Sequence, residues 1–177
     1  MKILICGSQG SGKTTQANLL SRRLNLPVID IGQKLRDLAK TDSEEAIKIN
    51  ESILKGELAP DQIVADLMRA EVEKVAGDFI ADGYPRSLDQ AKLYDPNYDL
   101  VFYLSIPDDV AVDRLLKRGR EDDLPEVIKL RLKNYHLLTE EVTSKFKERG
   151  VLYKIDGCLS IDAVHQKIME VISAINY

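Results

Sequence analysis

Residues 2–16, KILICGSQGSGKTTQ, run an apolar strand straight into a glycine-rich turn and then into a helical pattern. Glycine is costly to order, so three of them within Gly7–Gly12 mark a backbone that bends sharply or comes very close to something. Gly7, Gly12, Lys13 and Thr14 fit the pattern G-x-x-x-x-G-K-[ST], with the strand before it and the helix after it that this pattern requires. In such a turn the backbone N–H groups surround phosphate oxygens, and the helix N-terminus adds unpaired donors and the positive end of a dipole. The expected phosphate cradle is Gly10, Ser11, Gly12, Lys13, Thr14 and Thr15, with Lys13 at the outer phosphates and the Thr14 hydroxyl at a magnesium ion. A glycine-rich turn without a ligand is the alternative, but all four fixed positions and both flanks argue for a nucleoside triphosphate.

The rest of the chain supplies the frame. Short apolar runs recur at 2–6, 27–30, 79–82, 100–106 and 151–156, and helical spacing fills 15–24, 61–76, 108–118 and 162–175. Strands alternating with helices predict an α/β fold, a five-stranded parallel sheet with helices on both faces, in one domain spanning 1–177. Two stretches interrupt the alternation. Residues 31–60 read as helical throughout, and 118–126, RGREDDLPE, leads into a helical pattern over about 124–149. There Asp123 with Glu126 predicts a capped helix start.

Composition narrows the function. The 177 residues carry a net charge of −4, which argues against a general nucleic-acid binder. Cys6 and Cys158 form neither a disulfide framework nor a metal spacing, so no structural zinc is expected. The absence of a long apolar run predicts no membrane span, and a reducing cytoplasm is the expected compartment.

The glycine-rich pattern alone does not separate switches, motors and kinases. A guanine-reading switch normally carries Asn-Lys-x-Asp, and this chain has none. A second cluster, DGYPR at 82–86, ends a strand with Asp82, a carboxylate able to hold magnesium or its waters, and presents Arg86 from a turn shaped by Gly83 and Pro85. Read alone, it is equally a β-turn with a solvated arginine. Arg36 lies in the 31–60 stretch, while Arg114, Arg118, Arg120 and Arg131 gather around the charged one. Phosphoryl transfer needs such groups, because its catalysis consists mainly of positioning and charge neutralisation. His136 and His165 sit in helical patterns without metal spacing, and Lys13 reads as an exposed loop lysine.

In this order, GSQGSGKTTQ, IGQKLRD (31–37), KGELAPDQIV (55–64), DGYPRSLDQ (82–90), RLLKRGREDD (114–123) and LRLKNY (130–135) resemble the adenylate kinase family of nucleoside monophosphate kinases over essentially the whole chain. The resemblance implies a P-loop kinase fold with a small helical NMP-binding insertion at 31–60 and a short lid at 118–124. It implies transfer of the terminal phosphoryl group of Mg-ATP to AMP, giving two ADP, by a monomer of the family type acting without nucleic acid or membrane. Acceptor binding would fall to Ile31, Arg36, Gly83, Arg86, Gln90, Arg120 and Arg131, with Gln90 reading the base. Arg118 would serve ATP, and Lys13, Arg86, Arg118, Arg120 and Arg131 would carry the catalysis. Ile31, Gln9 and Thr14 depart from the family's usual residues. Two alternatives stay open: another monophosphate such as UMP or CMP as acceptor, or a nucleotide-responsive binding protein without useful turnover.

Overall fold

The structure, a computed structural model, describes residues 1–120 and 123–175. Its described residues form a five-stranded, all-parallel sheet, as the alternating pattern predicts. The strands are β1 (Lys2–Gly7), β2 (Val28–Asp30), β3 (Phe79–Asp82), β4 (Leu100–Ser105) and β5 (Leu152–Asp156), in the spatial order β2-β3-β1-β4-β5. β1 therefore lies at the centre, with Ile3 opposite both Ile80 and Leu100.

The pleat sends alternate side chains to two separate cores. Leu4 and Cys6 join Phe79, Ala81, Val101 and Tyr98 on one face, where α4 (Asp61–Val75) contributes Val64 and Met68 and α8 (Glu140–Glu148) contributes Val142 and Phe146. Ile3 and Ile5 join Ile80, Phe102 and Leu104 on the other face, covered by Ala17 and Leu20 of α1 (Lys13–Leu24) and Val164, Ile168 and Ile172 of α9 (Ile161–Ile175). The four-residue spacing on α9 gives one apolar stripe.

The two irregular stretches are more broken than their patterns suggest. Residues 31–60 form α2 (Ile31–Leu38) and α3 (Glu44–Leu54), separated by turns rather than continuously helical. Ser43 caps α3 through the Ala46 N–H, and the chain leaves α3 through Gly56 at φ +65°. After α5 (Leu88–Leu93) and α6 (Asp108–Arg118), the pattern over 124–149 divides into α7 (Pro125–Asn134), a five-residue π-helical turn (Tyr135–Thr139) and α8. Asp123 does not cap α7. Leu124 occupies the cap position and no side chain caps the helix, because the Asp123 carboxylate is engaged by arginine. Among the described residues, no helix is long and apolar enough to cross a membrane.

Candidate active site

Parallel sheets of this kind bind ligands beyond the carboxyl ends of their strands. Here that edge opens into a cleft of about 720 Å³. All fifteen candidate residues border it: Gly10, Ser11, Gly12, Lys13, Thr14, Thr15, Ile31, Arg36, Asp82, Gly83, Arg86, Gln90, Arg118, Arg120 and Arg131. Its charged lining includes seven basic side chains, these six plus Arg114, against Asp30, Glu57 and Asp82. A chain of net charge −4 thus concentrates positive charge in one place.

The turn after β1 owes its glycines to two causes. A Cβ on Gly7 would lie 2.4 Å from the Leu104 carbonyl oxygen, so the protein's own neighbouring strand forbids it. At Gly12 there is open space around the same position, but φ is +92°, which penalises any other residue. Gly12 is the N-cap of α1 and supplies no side chain, leaving the first N–H groups of that helix for a ligand.

Lys13 is the first residue of α1 and is half-buried rather than an exposed loop lysine. Its Nζ donates to the Gly7 and Ser8 carbonyls at 2.9 and 2.7 Å. Burial pulls its pKa down to about 8, opposed by the Asp82 carboxylate. Asp82, at the end of β3, is buried, and that burial pushes its carboxyl above the ordinary range against the pull of Lys13 and of a Thr14 hydroxyl donated at 2.5 Å. Thr14 and Asp82 thus bring a hydroxyl and a carboxylate together beside the glycine-rich turn, a hard oxygen pair that suits magnesium.

Arg86 leaves the turn after β3, where Gly83 takes φ +75°. Its Nε donates to the Gly83 carbonyl at 3.0 Å and its backbone N–H to Gln90 Oε1 at 2.8 Å. A Cβ placed on Gly32 would lie 3.4 Å from Arg36 Nη1 and 3.8 Å from Arg86 Nη2, so the two guanidinium groups converge over that glycine. Elsewhere in the lining, Arg118 grips Asp123 with two bonds of 2.8 and 2.6 Å, and Arg131 Nη1 lies 3.7 Å from the same carboxylate. The Arg120 N–H also points at it, at 3.2 Å. Burial pushes the Asp123 carboxyl up, but the arginines and this N–H outweigh it and hold it below the ordinary carboxylate value. The lid assigned to 118–124 is described only in part, since Glu121 and Asp122 lie outside the described residues.

Sequence reasoning missed three contributors. Asp123 gathers the arginines instead of capping a helix. Arg114 ties the glycine-rich turn to the loop after β5, donating to Gly10 O at 3.3 Å and Gly157 O at 3.0 Å. Its place among the arginines around the charged stretch was the only signal. Thr139 donates to the Arg86 carbonyl across 53 positions of sequence, a separation at which no local pattern speaks.

Comparison with known sequences agrees with this geometry. The sequence model described as "Adenylate kinase" matches residues 5–151. The chain belongs to the adenylate kinase family. An "Adenylate kinase" of Encephalitozoon cuniculi (strain GB-M1) is 35% identical over 169 residues, covering 94% of this chain and 95% of that protein. Another, from Pseudarthrobacter chlorophenolicus, is 36% identical over 98% of this chain and 97% of its own length. A third, from Prochlorococcus marinus subsp. pastoris, is 37% identical over 89% and 90%. As a member of the adenylate kinase family the chain is an ATP-dependent nucleoside monophosphate kinase.

Proposed function

We propose that the chain transfers the terminal phosphoryl group of Mg-ATP to AMP, with 31–60 as the acceptor-binding insertion and 118–124 as a short lid. The observation that carries this reading is the sheet order. β2, at one edge, leads into α2 and α3, whose Ile31, Leu35, Ile49 and Ile53 form one apolar wall of the cleft. β5, at the other edge, leads into Leu159, Ile161 and Val164, a second apolar wall. The phosphate turn and the arginines lie between them. Two bases on apolar walls with their phosphates meeting at a cationic centre fit a two-nucleotide reaction.

In this reading Lys13 and the N-terminus of α1 hold the donor phosphates, while Arg36 and Arg86 hold the acceptor's. Thr14 and Asp82 would hold magnesium, which would supply positive charge to the donor phosphates. An oxygen of the AMP phosphate bonds to the terminal phosphorus as its bond to ADP breaks, and two ADP leave. That oxygen is already anionic, so no side chain has to remove a proton. Arg118, Arg120 and Arg131 then face charge spread over the transferring oxygens, where preorganised cations are most effective.

ADP formation measured with AMP, CMP and UMP in turn tests the acceptor. AMP is expected to react best, and an equal or higher rate with a pyrimidine monophosphate overturns the assignment. Gln90→Ala is expected to weaken AMP by about 1–3 kcal/mol while leaving ATP nearly unchanged. Because Gln90 also holds the Arg86 N–H, the comparison across bases decides. A loss confined to AMP means that Gln90 reads adenine, and an equal loss for all three means that it only seats Arg86.

The Lys13 pKa sets a pH dependence. A lysine whose pKa is lowered to about 8 carries its charge below that pH and loses it above. kcat/KM for ATP, which reports the free enzyme, is expected to fall above about pH 8. Lys13→Arg, with a guanidinium that stays charged, removes that fall whatever its absolute rate. A flat profile to about pH 10 in the parent protein would show that the ammonium keeps its proton throughout.

A further inference from the structure

Among the described residues, three hydrogen bonds hold Arg86, and they differ in origin. The bonds to Gln90 Oε1 and Gly83 O come from its own turn, four and three residues away. The third, from Thr139 Oγ1 to the Arg86 carbonyl at 2.9 Å, crosses from another element. Thr139 is buried and closes the π-helical turn that begins at Tyr135. Within that turn Tyr135 and Thr139 face inward and border the cleft, while His136, Leu137 and Leu138 between them are exposed.

A threonine inside a helix can turn its hydroxyl back to a carbonyl of its own preceding turn. Here the hydroxyl goes to Arg86 instead. A π-turn inserts one extra residue, and each residue of a regular helix turns the chain by about 100°. Without the insertion, Thr139 would lie about that far around the axis relative to α7 and would not face Arg86. The outer side of the same turn is braced, since His136 Nδ1 lies 2.7 Å from Glu140 and its Nε2 3.0 Å from Asp108, the first residue of α6. The turn is held from outside by charge and from inside by Thr139. Arg131 lies on α7, the helix that runs directly into it.

We infer that Thr139 is a positioning residue for phosphoryl transfer: through the Arg86 carbonyl it sets the acceptor-phosphate arginine at a fixed distance from Arg131 on the helix that enters the π-turn. This rests on the reading of Arg86 as the ligand of the acceptor phosphate. The hydroxyl is spent on the Arg86 carbonyl, so it acts on the geometry between the two arginines and not as a ligand of its own.

Steady-state kinetics with ATP and AMP varied separately test this on Thr139→Val, Thr139→Ser and Arg86→Ala. Loss of the hydroxyl in the near-isosteric valine variant is expected to raise KM for AMP about tenfold and lower kcat by a similar factor. KM for ATP is expected to stay within about twofold, since the Thr139 hydroxyl bonds the turn that carries Arg86 and not the glycine-rich turn after β1. The serine variant, which keeps the hydroxyl, restores AMP kinetics. Should the valine variant fail to fold, Thr139→Ala is measured in its place against the same serine control. Normal AMP kinetics in the hydroxyl-free variant, equal damage to ATP and AMP, or no rescue by serine each overturns the inference. If Arg86→Ala leaves KM for AMP unchanged, the reading of Arg86 itself has failed, a result distinguishable from failure at Thr139 alone.

Discussion

Lys13→Ala is expected to fold normally and to lose turnover by about 10²–10³-fold. The loss follows from where the ammonium sits. It is held at the mouth of the glycine-rich turn by the Gly7 and Ser8 carbonyls, and its burial makes the charge unusually costly to keep, as its low pKa records. A protein gains little stability from such a group. Its removal frees two carbonyl oxygens, at a cost of about 1 kcal/mol, and relieves a desolvated charge at the same time. The melting temperature is therefore expected to move little, while the rate of ADP formation collapses. Lys13→Met, which keeps most of the side-chain volume, is expected to match alanine, because charge and not packing is lost. A folded alanine variant with near-parental turnover would sink the donor-phosphate assignment.

Arg86→Ala is expected to lower kcat/KM for AMP by a comparable factor, about 10²–10³-fold, and to spare ATP binding. The guanidinium converges with that of Arg36 over Gly32, where a planar group can hold a phosphate through two parallel bonds. Arg86→Lys keeps one positive charge but loses the fork, so it is expected to recover only part of the loss. Binding of AMP and of ATP, each measured by calorimetry, separates the two sites. If alanine weakens ATP and AMP alike, Arg86 belongs to the whole cleft rather than to the acceptor phosphate.

The sheet and the phosphate turn were legible because their signals are local. A strand buried on both faces shows as an apolar run, and KILIC, FIAD and LVFYLSI differ from the observed strands by a residue at most. Gly12 and Lys13 announce a helix N-terminus through backbone requirements that few other residues meet. Asp123 misled because Asp-x-x-Glu is a sound capping signal, and it lost to two guanidinium groups within reach, whose charge-assisted bonds are stronger than a cap. The helical pattern over about 124–149 did contain helix almost throughout, but nothing in Tyr-His-Leu-Leu-Thr distinguishes five residues of π-turn from α-helix. The break between α2 and α3 depends on Ser43 accepting an N–H, a modest signal inside a stretch otherwise rich in helix formers. The partners of Thr139 and Arg114 are distant in sequence, so only the folded chain brings them into view.

The central position of β1 has a consequence for how the protein is made. β1 is translated before both of its neighbours, yet it pairs with Phe79–Asp82 on one side and Leu100–Leu104 on the other. Until those segments leave the ribosome, Gly7 has no Leu104 carbonyl against it and Thr14 has no Asp82. A nascent chain that ends before β3 carries every residue of the glycine-rich turn and neither of the strands, β3 and β4, that flank β1. Nucleotide therefore cannot stabilise the early chain, and closing such distant pairings is slow compared with forming α1 alone. The segment synthesised ahead of its partners must wait, as an apolar strand with two open edges, for the middle of the chain to reach it.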